Sequence, residues 1–394
     1  MEAMNLKGGL DTGNGYMKGL IQGEHEMVVD FPTVCSLYTI VNDIKAEGGA
    51  IETTIKNIFN QMDISISSNL VPDGKRRILG KRAIKSGSNT DTFNVNKSHL
   101  SKAQQEMSFI MVFGTFAGAA LKDYYETNGA LPEEMIPVKV KCILSLPITE
   151  YRRFKDGFAG DFKNGSHMVT FHNFTRPIRV ELTFEEVIVM AEGATAQYAI
   201  THRGVDLESS ITPQMKNDDI TSEVLADAEN VIGIDIGEGT VNFVVFQDGL
   251  LSPDASGTLE QGYGTLLDDC VEGRLKDSGF QFNGRKALAD FLITTPKPLN
   301  RAKYKKVKEI VDDEAINFSE NILRQAEKFI ASMGASTEVI FVYGGGSIPL
   351  RPFLEFKLEQ SGQRLSGIPI VYIEAGIART LNAKGLYMIA NELF

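Results

Sequence analysis

Apolar positions along this chain fall into two rhythms. In Val231–Phe246, VIGIDIGEGTVNFVVF, the β-branched run Val231, Ile232, Ile234, Ile236 predicts a buried strand, and Val241 with Phe243–Phe246 predicts a second. Gly237-Glu238-Gly239-Thr240 separates them, and Asp248-Gly249 closes the second with a hairpin turn. Val138–Pro147 alternates and then turns fully apolar, as a strand entering a sheet does, and Arg179–Thr183 reads as another strand. Glu338–Pro349 runs from an apolar strand into three glycines. Ile64–Val71 alternates weakly, and Lys163–Ser166 carries the turn signal of a hairpin between short strands.

Helical spacing dominates elsewhere. Met107–Tyr125 predicts a buried helix ending at Asn128-Gly129. Phe184–Ile200 predicts a helix with Thr183 as N-cap and Glu186 completing a capping box. Short helices are expected over Ile51–Asn60, Tyr151–Phe158 and Leu266–Leu275, and longer ones over Ala315–Met333 and Ile373–Leu393. Leu288–Ile310 is helical and basic, with a break at Pro296 and Pro298. The region Phe31–Ala103 is the least regular; its basic cluster Lys75-Arg76-Arg77 and Lys81-Arg82 reads as a solvated turn. His202–Asn230 is polar and acidic and reads as a linker between two halves. Strands mixed with helices throughout give an α/β class.

Composition narrows the function classes. With 394 residues there is material for two domains. Lys+Arg 40 against Asp+Glu 51 leaves −11, which argues against a general nucleic-acid surface. Cys35, Cys142 and Cys270 form no C-x-x-C pair and are expected to be reduced, cytoplasmic thiols. The N-terminus has no apolar stretch of the signal-peptide kind. The longest mostly apolar run, Met107–Leu121, is too short for a bilayer, and no amphipathic anchor is visible, so no membrane partner is expected.

Three glycine-rich sites carry the candidate chemistry. Asp235 sits inside an apolar strand, where a lone carboxylate is costly unless it binds something. Asp11 opens a second site in Gly9–Ile21, GLDTGNGYMKGLI, where Gly13, Asn14 and Gly15 can turn a backbone around an anion and Lys18 can reach a phosphate. Neither site is a P-loop, and neither matches G-x-G-x-x-G. Paired, they suggest two phosphate hairpins, with Asp11 and Asp235 holding a magnesium ion through water. At the third site, Gly344, Gly345 and Gly346 imply close approach of a ligand or another backbone, and Ser347 can cap the helix that follows. Two small-residue stripes, Ala191, Gly193, Ala194 and Ala196, and Ala375, Gly376, Ala378, Ala383 and Gly385, suggest two helices packed closely as a hinge. Glu192 lies in the first.

The order of these five features is hairpin, small-faced helix, hairpin, strand-GGG-helix, small-faced helix, over residues 9 to 388. It resembles the superfamily of actin, heat-shock chaperones and sugar kinases, whose nucleotide site is built from two phosphate loops, two connecting helices and an adenosine loop. Within it the chain looks most like the plasmid-segregation actins of the ParM and Alp type, from its length, its GGG loop, the strand-rich Val138–Glu192 segment and ILGKRA at Ile78–Ala83. The resemblance implies an actin-like fold. Two duplicated domains would each hold a mixed sheet flanked by helices, with a nucleotide cleft between them. The expected limits are 1–200 plus 371–394 for one domain, with a small subdomain about 35–103, and 201–370 for the other.

The resemblance also implies ATP or GTP with Mg2+ as cofactor, and self-assembly into filaments that hydrolyse nucleotide. Plasmid DNA would be moved through a DNA-binding centromere adaptor, with no direct nucleic-acid contact. Asp11 and Asp235 would position magnesium and water, Lys18 would contact phosphate, and Glu192 would polarise the attacking water. Gly237, Gly239 and Thr240 would wrap the β- and γ-phosphates, and Gly344–Gly346 with Ser347 would pass the nucleoside. Two departures stand out. The gap from Glu192 to Asp235 is long for this group, and Gly-Glu-Gly replaces the commoner Gly-Gly, so that Glu238 either points away from phosphate or joins the water network. The rival readings are a small-molecule kinase on the same fold, which would need an additional cleft base, and a scaffold filament without a segregating role.

Overall fold

The computed structural model describes residues 2–39, 45–86, 89–93, 100–211, 214, 219–333, 336–361 and 368–394, with backbone alone at 211 and 359–361. The chain forms two compact units, Met1–Ala199 with Thr380–Phe394, and Ile200–Arg379.

In the first unit the chain runs β1 (Met4–Thr12), β2 (Tyr16–Gln22), β3 (Glu26–Pro32), β4 (Cys35–Leu37), α1 (Ala50–Lys56), α2 (Ile58–Gln61), β5 (Asp63–Ser67), β6 (Arg76–Leu79), α3 (Lys81–Lys85) and β7 (Thr90–Asp91). It continues with α4 (Glu106–Asn128), β8 (Ile136–Leu146), α5 (Ile148–Lys163), β9 (Ser166–Phe171), β10 (Ile178–Ala191) and α6 (Ala194–Thr201). Among the described residues the strands make one ten-stranded mixed sheet in the order β3-β2-β1-β8-β10-β9-β5-β6-β4-β7. β1 and β10 both run parallel to β8, so their C-terminal ends, with Asp11 and Glu192, emerge on the same edge.

The expected buried helix is α4. It is apolar all round, as a helix sealed in a core must be, and Gly129 caps it in the left-handed conformation, as the sequence predicts. Phe109 and Phe113 of α4 meet Phe158 and Phe162 of α5 and Phe184 of β10 in one aromatic cluster. His167 is built into that cluster, stacked on Phe113 at 4.3 Å.

Several expectations are corrected here. Phe184–Ile200 is not one helix: β10 continues to Ala191, and α6 starts only at Ala194. The cause is a bulge between Phe184 and Glu186, which puts two polar residues in succession on the strand and imitates helical spacing. Thr183 and Glu186 are therefore strand residues, not a capping box; Glu186 pairs with Lys141 across the ladder at 2.8 Å. The turn at Lys163–Ser166 joins helix α5 to β9 rather than two strands, and α5 is longer at both ends than Tyr151–Phe158. The basic cluster is not a solvated turn. Arg76 makes a bidentate pair with the fully buried Asp63, at 2.6 and 2.8 Å, and Arg82 reaches the same carboxylate at 3.3 Å.

The second unit runs α7 (Glu208–Ile211), α8 (Ser222–Ala226), β11 (Val231–Ile236), β12 (Val241–Gln247), β13 (Leu250–Leu251), β14 (Gly257–Leu259), α9 (Tyr263–Glu272), α10 (Arg274–Asp277), α11 (Gly284–Ile293), α12 (Arg301–Met333), β15 (Val339–Tyr343), α13 (Ser347–Ser361), β16 (Ile370–Tyr372) and α14 (Ala375–Ala378). Its sheet follows β13-β12-β11-β15-β16, with β14 on β12. The segment read as a linker thus holds two short helices among its described residues; positions 212–213 and 215–218 lie outside them. The predicted helix Leu266–Leu275 is two, α9 and α10, parted at Gly273. Ala315–Met333 is the second half of the 33-residue α12, and the proline break falls where expected, between α11 and α12.

The helix predicted over Ile373–Leu393 is divided. Its first part is α14, and α15 (Leu381–Leu393) belongs to the first unit. There α15 lies along β1. A Cβ on Gly9 would stand 2.4 Å from the backbone of Leu386 and Tyr387, and one on Gly385 would stand 1.8 Å from the Thr195 carbonyl oxygen. The two small-residue stripes do meet, at Gly385 and Thr195, with Asn382 Oδ1 accepting from Gly193 N and Thr195 Oγ1, each at 2.9 Å.

Candidate nucleotide site

The first unit gathers its candidate residues where β1 ends. Asp11 and Lys18 are cross-strand partners on β1 and β2, with the ammonium 3.1 Å from the carboxylate. Between them Gly13, Asn14 and Gly15 form the turn, and Thr33 fastens it by donating its hydroxyl to the Gly13 carbonyl at 2.8 Å and its amide to Gly15 at 2.9 Å. Thr12 Oγ1, next to Asp11, is buried and has no hydrogen-bond partner among the described residues. An orphaned hydroxyl of this kind invites an acceptor from outside.

Glu192 is placed by the end of β10, not by a helix. Its amide donates to the Leu146 carbonyl at 2.8 Å, continuing the parallel ladder one residue past the strand, and Gly193 then turns the chain at φ 82° into α6. The carboxylate is 6% exposed and accepts from Lys102 Nζ at 2.7 Å. Lys102 opens a 3-10 turn, Lys102–Gln104, just before α4. Asp11 also acts on this ammonium electrostatically. Sequence reading missed Lys102, because SHLSKAQQ carries no motif and only the fold brings it beside Glu192.

In the second unit Asp235 pairs with Asn242 across the β11–β12 hairpin and with Tyr343 on β15, and is 5% exposed. Burial pushes the Tyr343 phenol well above its ordinary range, and the Asp235 charge adds to the effect. The turn Gly237–Thr240 is closed by Gly237 N to Thr240 O at 2.9 Å. Its outer side is held by α9: Tyr263 N donates to the Gly237 carbonyl at 3.0 Å, and Gly264 N to the Glu238 carbonyl at 2.8 Å.

The three glycines divide by role. A Cβ on Gly344 (φ 88°) would stand 2.4 Å from Asp235 Oδ1, and one on Gly346 2.8 Å from the Ile236 side chain. Gly346 N donates to the Ile236 carbonyl at 2.8 Å. The close approach read from the sequence is thus made to the end of β11 and the turn that follows it. Gly345 differs, for its nearest neighbour would be Arg379 Cγ at 3.9 Å. Ser347 does not act as a cap acceptor; its hydroxyl donates to the Gly344 carbonyl at 2.7 Å.

These residues suit an anionic nucleotide. Lys18, Lys102 and the Thr12 hydroxyl supply cationic and donor groups at one sheet edge, and both turns present backbone rather than side chains. Among the described residues no cluster of three or more His, Cys, Asp or Glu could enclose a bare metal ion.

No family model matches the sequence, and no curated protein is similar to it at the level of sequence. Solved structures are similar over its whole length. The actin-like protein Alp7A superposes with a TM-score of 0.68 at 16% identity, covering 99% of this chain and 97% of that one. The chain has the actin-like fold. ParM from Clostridium botulinum, solved as a 15-stranded filament, gives 0.64 at 18% identity with full coverage of both chains. Bacillus thuringiensis ParM with ATP gives 0.59 at 19%, covering 98% of each. This actin-like chain therefore shares an architecture with the group its motif order resembles, while its residues have diverged from it almost everywhere.

Proposed function

We propose that this actin-like chain is a polymerising nucleotide hydrolase whose filaments move plasmid DNA. The observation that carries the reading is the cluster Asp11, Lys18, Lys102 and Glu192, buried or half-buried at one edge of a sheet whose other features match a nucleotide-binding fold. Support comes also from neighbours solved with ATP and as a filament. In this reading Gly13, Asn14, Gly15 and Lys18 hold phosphate from the first unit, Gly237, Gly239 and Thr240 from the second, and Gly345 faces the nucleoside. Asp11 and Asp235 hold magnesium through water, and Glu192 orients the attacking water. Catalysis then needs positioning and charge neutralisation more than covalent chemistry. The filament acts in the cytoplasm through a separate DNA-binding adaptor.

Light scattering and negative-stain microscopy of the purified protein test this. Scattering should rise when ATP or GTP is added with magnesium, and filaments should be visible. Their absence with both nucleotides over a broad protein concentration range would overturn the filament reading. Calorimetry separates binding from assembly, and Asp235→Ala should weaken magnesium-nucleotide binding.

A further inference from the structure

Lys102 is held more firmly than a solubilising lysine needs to be. Its amide donates to Glu150 Oε2 at 2.7 Å, and its carbonyl accepts from Ser108 Oγ at 2.6 Å. The side chain is 5% exposed, passes the Phe93 ring with its ammonium 5.7 Å from the ring centre, and ends on Glu192. Burial lowers the proton affinity of the amine, but the carboxylates of Glu192, Asp11 and Glu150 outweigh it, and the pKa is raised. The lysine is therefore an ammonium at any working pH. A buried ion pair contributes little net stability over an apolar pair of the same shape, so stability alone gives a weak reason for it.

We propose that Lys102 is the positioning residue for Glu192, holding its carboxylate in one orientation for the attacking water. This rests on the hydrolase reading above. In the step it serves, a water oxygen bonds to the terminal phosphorus while the bond from that phosphorus to the bridging oxygen breaks, releasing nucleoside diphosphate. The proton of the water ends on the inorganic phosphate or in solvent. Glu192 accepts a hydrogen bond from the water, with Lys102 held on its Oε1 at 2.7 Å. The same lysine ties this carboxylate to the start of α4, through Ser108, and to α5, through Glu150.

The test uses the full chain with ATP, GTP and magnesium. Lys102→Met should lower kcat by about tenfold or more, within the range ascribed to water-activating groups, while the nucleotide dissociation constant changes by less than about twofold. Lys102→Arg should recover most of the rate. Lys102→Met combined with Glu192→Gln removes both charges, should keep the thermal midpoint near that of the parent, and should be no slower than Glu192→Gln alone.

A parent protein that hydrolyses nucleotide, with kcat unchanged in Lys102→Met or not recovered in Lys102→Arg, would overturn the lysine assignment and leave the hydrolase reading standing. Rate losses that multiply in the double variant, or a loss confined to nucleotide affinity, would also overturn it. A parent protein that neither binds nor hydrolyses nucleotide removes both together.

Discussion

Arg285 Nε lies 2.8 Å from Glu238 Oε1, and Arg285 Nη1 lies 2.8 Å from Asp268 Oδ2. The extra acidic residue in the Gly-Glu-Gly turn is therefore turned toward α11 and neutralised there. Arg285→Ala should release the carboxylate beside the phosphate hairpin and weaken nucleotide binding about tenfold, equivalent to about 1.4 kcal/mol. Glu238→Gln in the same background should restore affinity. Titration calorimetry on the four proteins of the cycle decides it, and equal affinities would remove the clamp from consideration.

The glycines of Gly344–Gly346 should separate under substitution. Gly344→Ala forces a Cβ against Asp235 and Ile236 in a left-handed backbone, and should cost about 2 kcal/mol or more in urea unfolding. Gly345→Ala meets only Arg379 Cγ, at an ordinary contact distance of 3.9 Å. It should leave stability within about 0.5 kcal/mol and act on nucleotide affinity alone.

Gly385 gives the sharper packing test. Its Cβ would fall inside the Thr195 carbonyl, so Gly385→Ala should cost about 3 kcal/mol or more, or detach α15. The control is Gly157 on the outside of α5, where nothing stands within 4 Å. Gly157→Ala should stabilise by about 0.4–1 kcal/mol through helix propensity. Thermal and urea unfolding measure both.

His167 sets an acid limit on stability. Burial lowers its pKa, and the accepting Phe162 carbonyl only partly opposes that. The carbonyl, 3.0 Å from Nε2, places the proton there, and Nδ1 accepts from Ser68 at 2.8 Å. The unfolded chain thus binds the proton more readily than the folded one. Stability is at its full value above the unfolded histidine pKa, about 6.5, and falls as pH drops below it toward the folded value. Urea midpoints between pH 7.5 and 5 should decline in the parent and less steeply in His167→Gln. Parallel declines would exclude this residue as the cause.

Much of the fold was legible because its signals are local. Asp11 and Asp235 stand out as carboxylates in apolar strands beside glycine turns, and Gly344–Gly346 as a run no ordinary strand end needs. Glu192 was singled out as part of a helix that the structure does not have, since the bulge at Phe184 and Glu186 disguised a strand as a helix. Lys102 and Arg285 were invisible. Each acts through a partner far away in sequence, 90 positions for Lys102, and no spacing rule connects them. Asp63 shows the same limit: its burial turns an apparent basic surface into an internal clamp.

The docking of α15 on β1 has a consequence during synthesis. The first unit cannot cover this face of its sheet with α15 until Thr380–Phe394 has been made, long after β1. At about 5–20 residues per second, the ribosome must add all of Ile200–Arg379 first, a delay on the order of ten to forty seconds. Throughout that interval the Gly9 face of β1 waits without its cover. The second unit, continuous in the chain, is complete first.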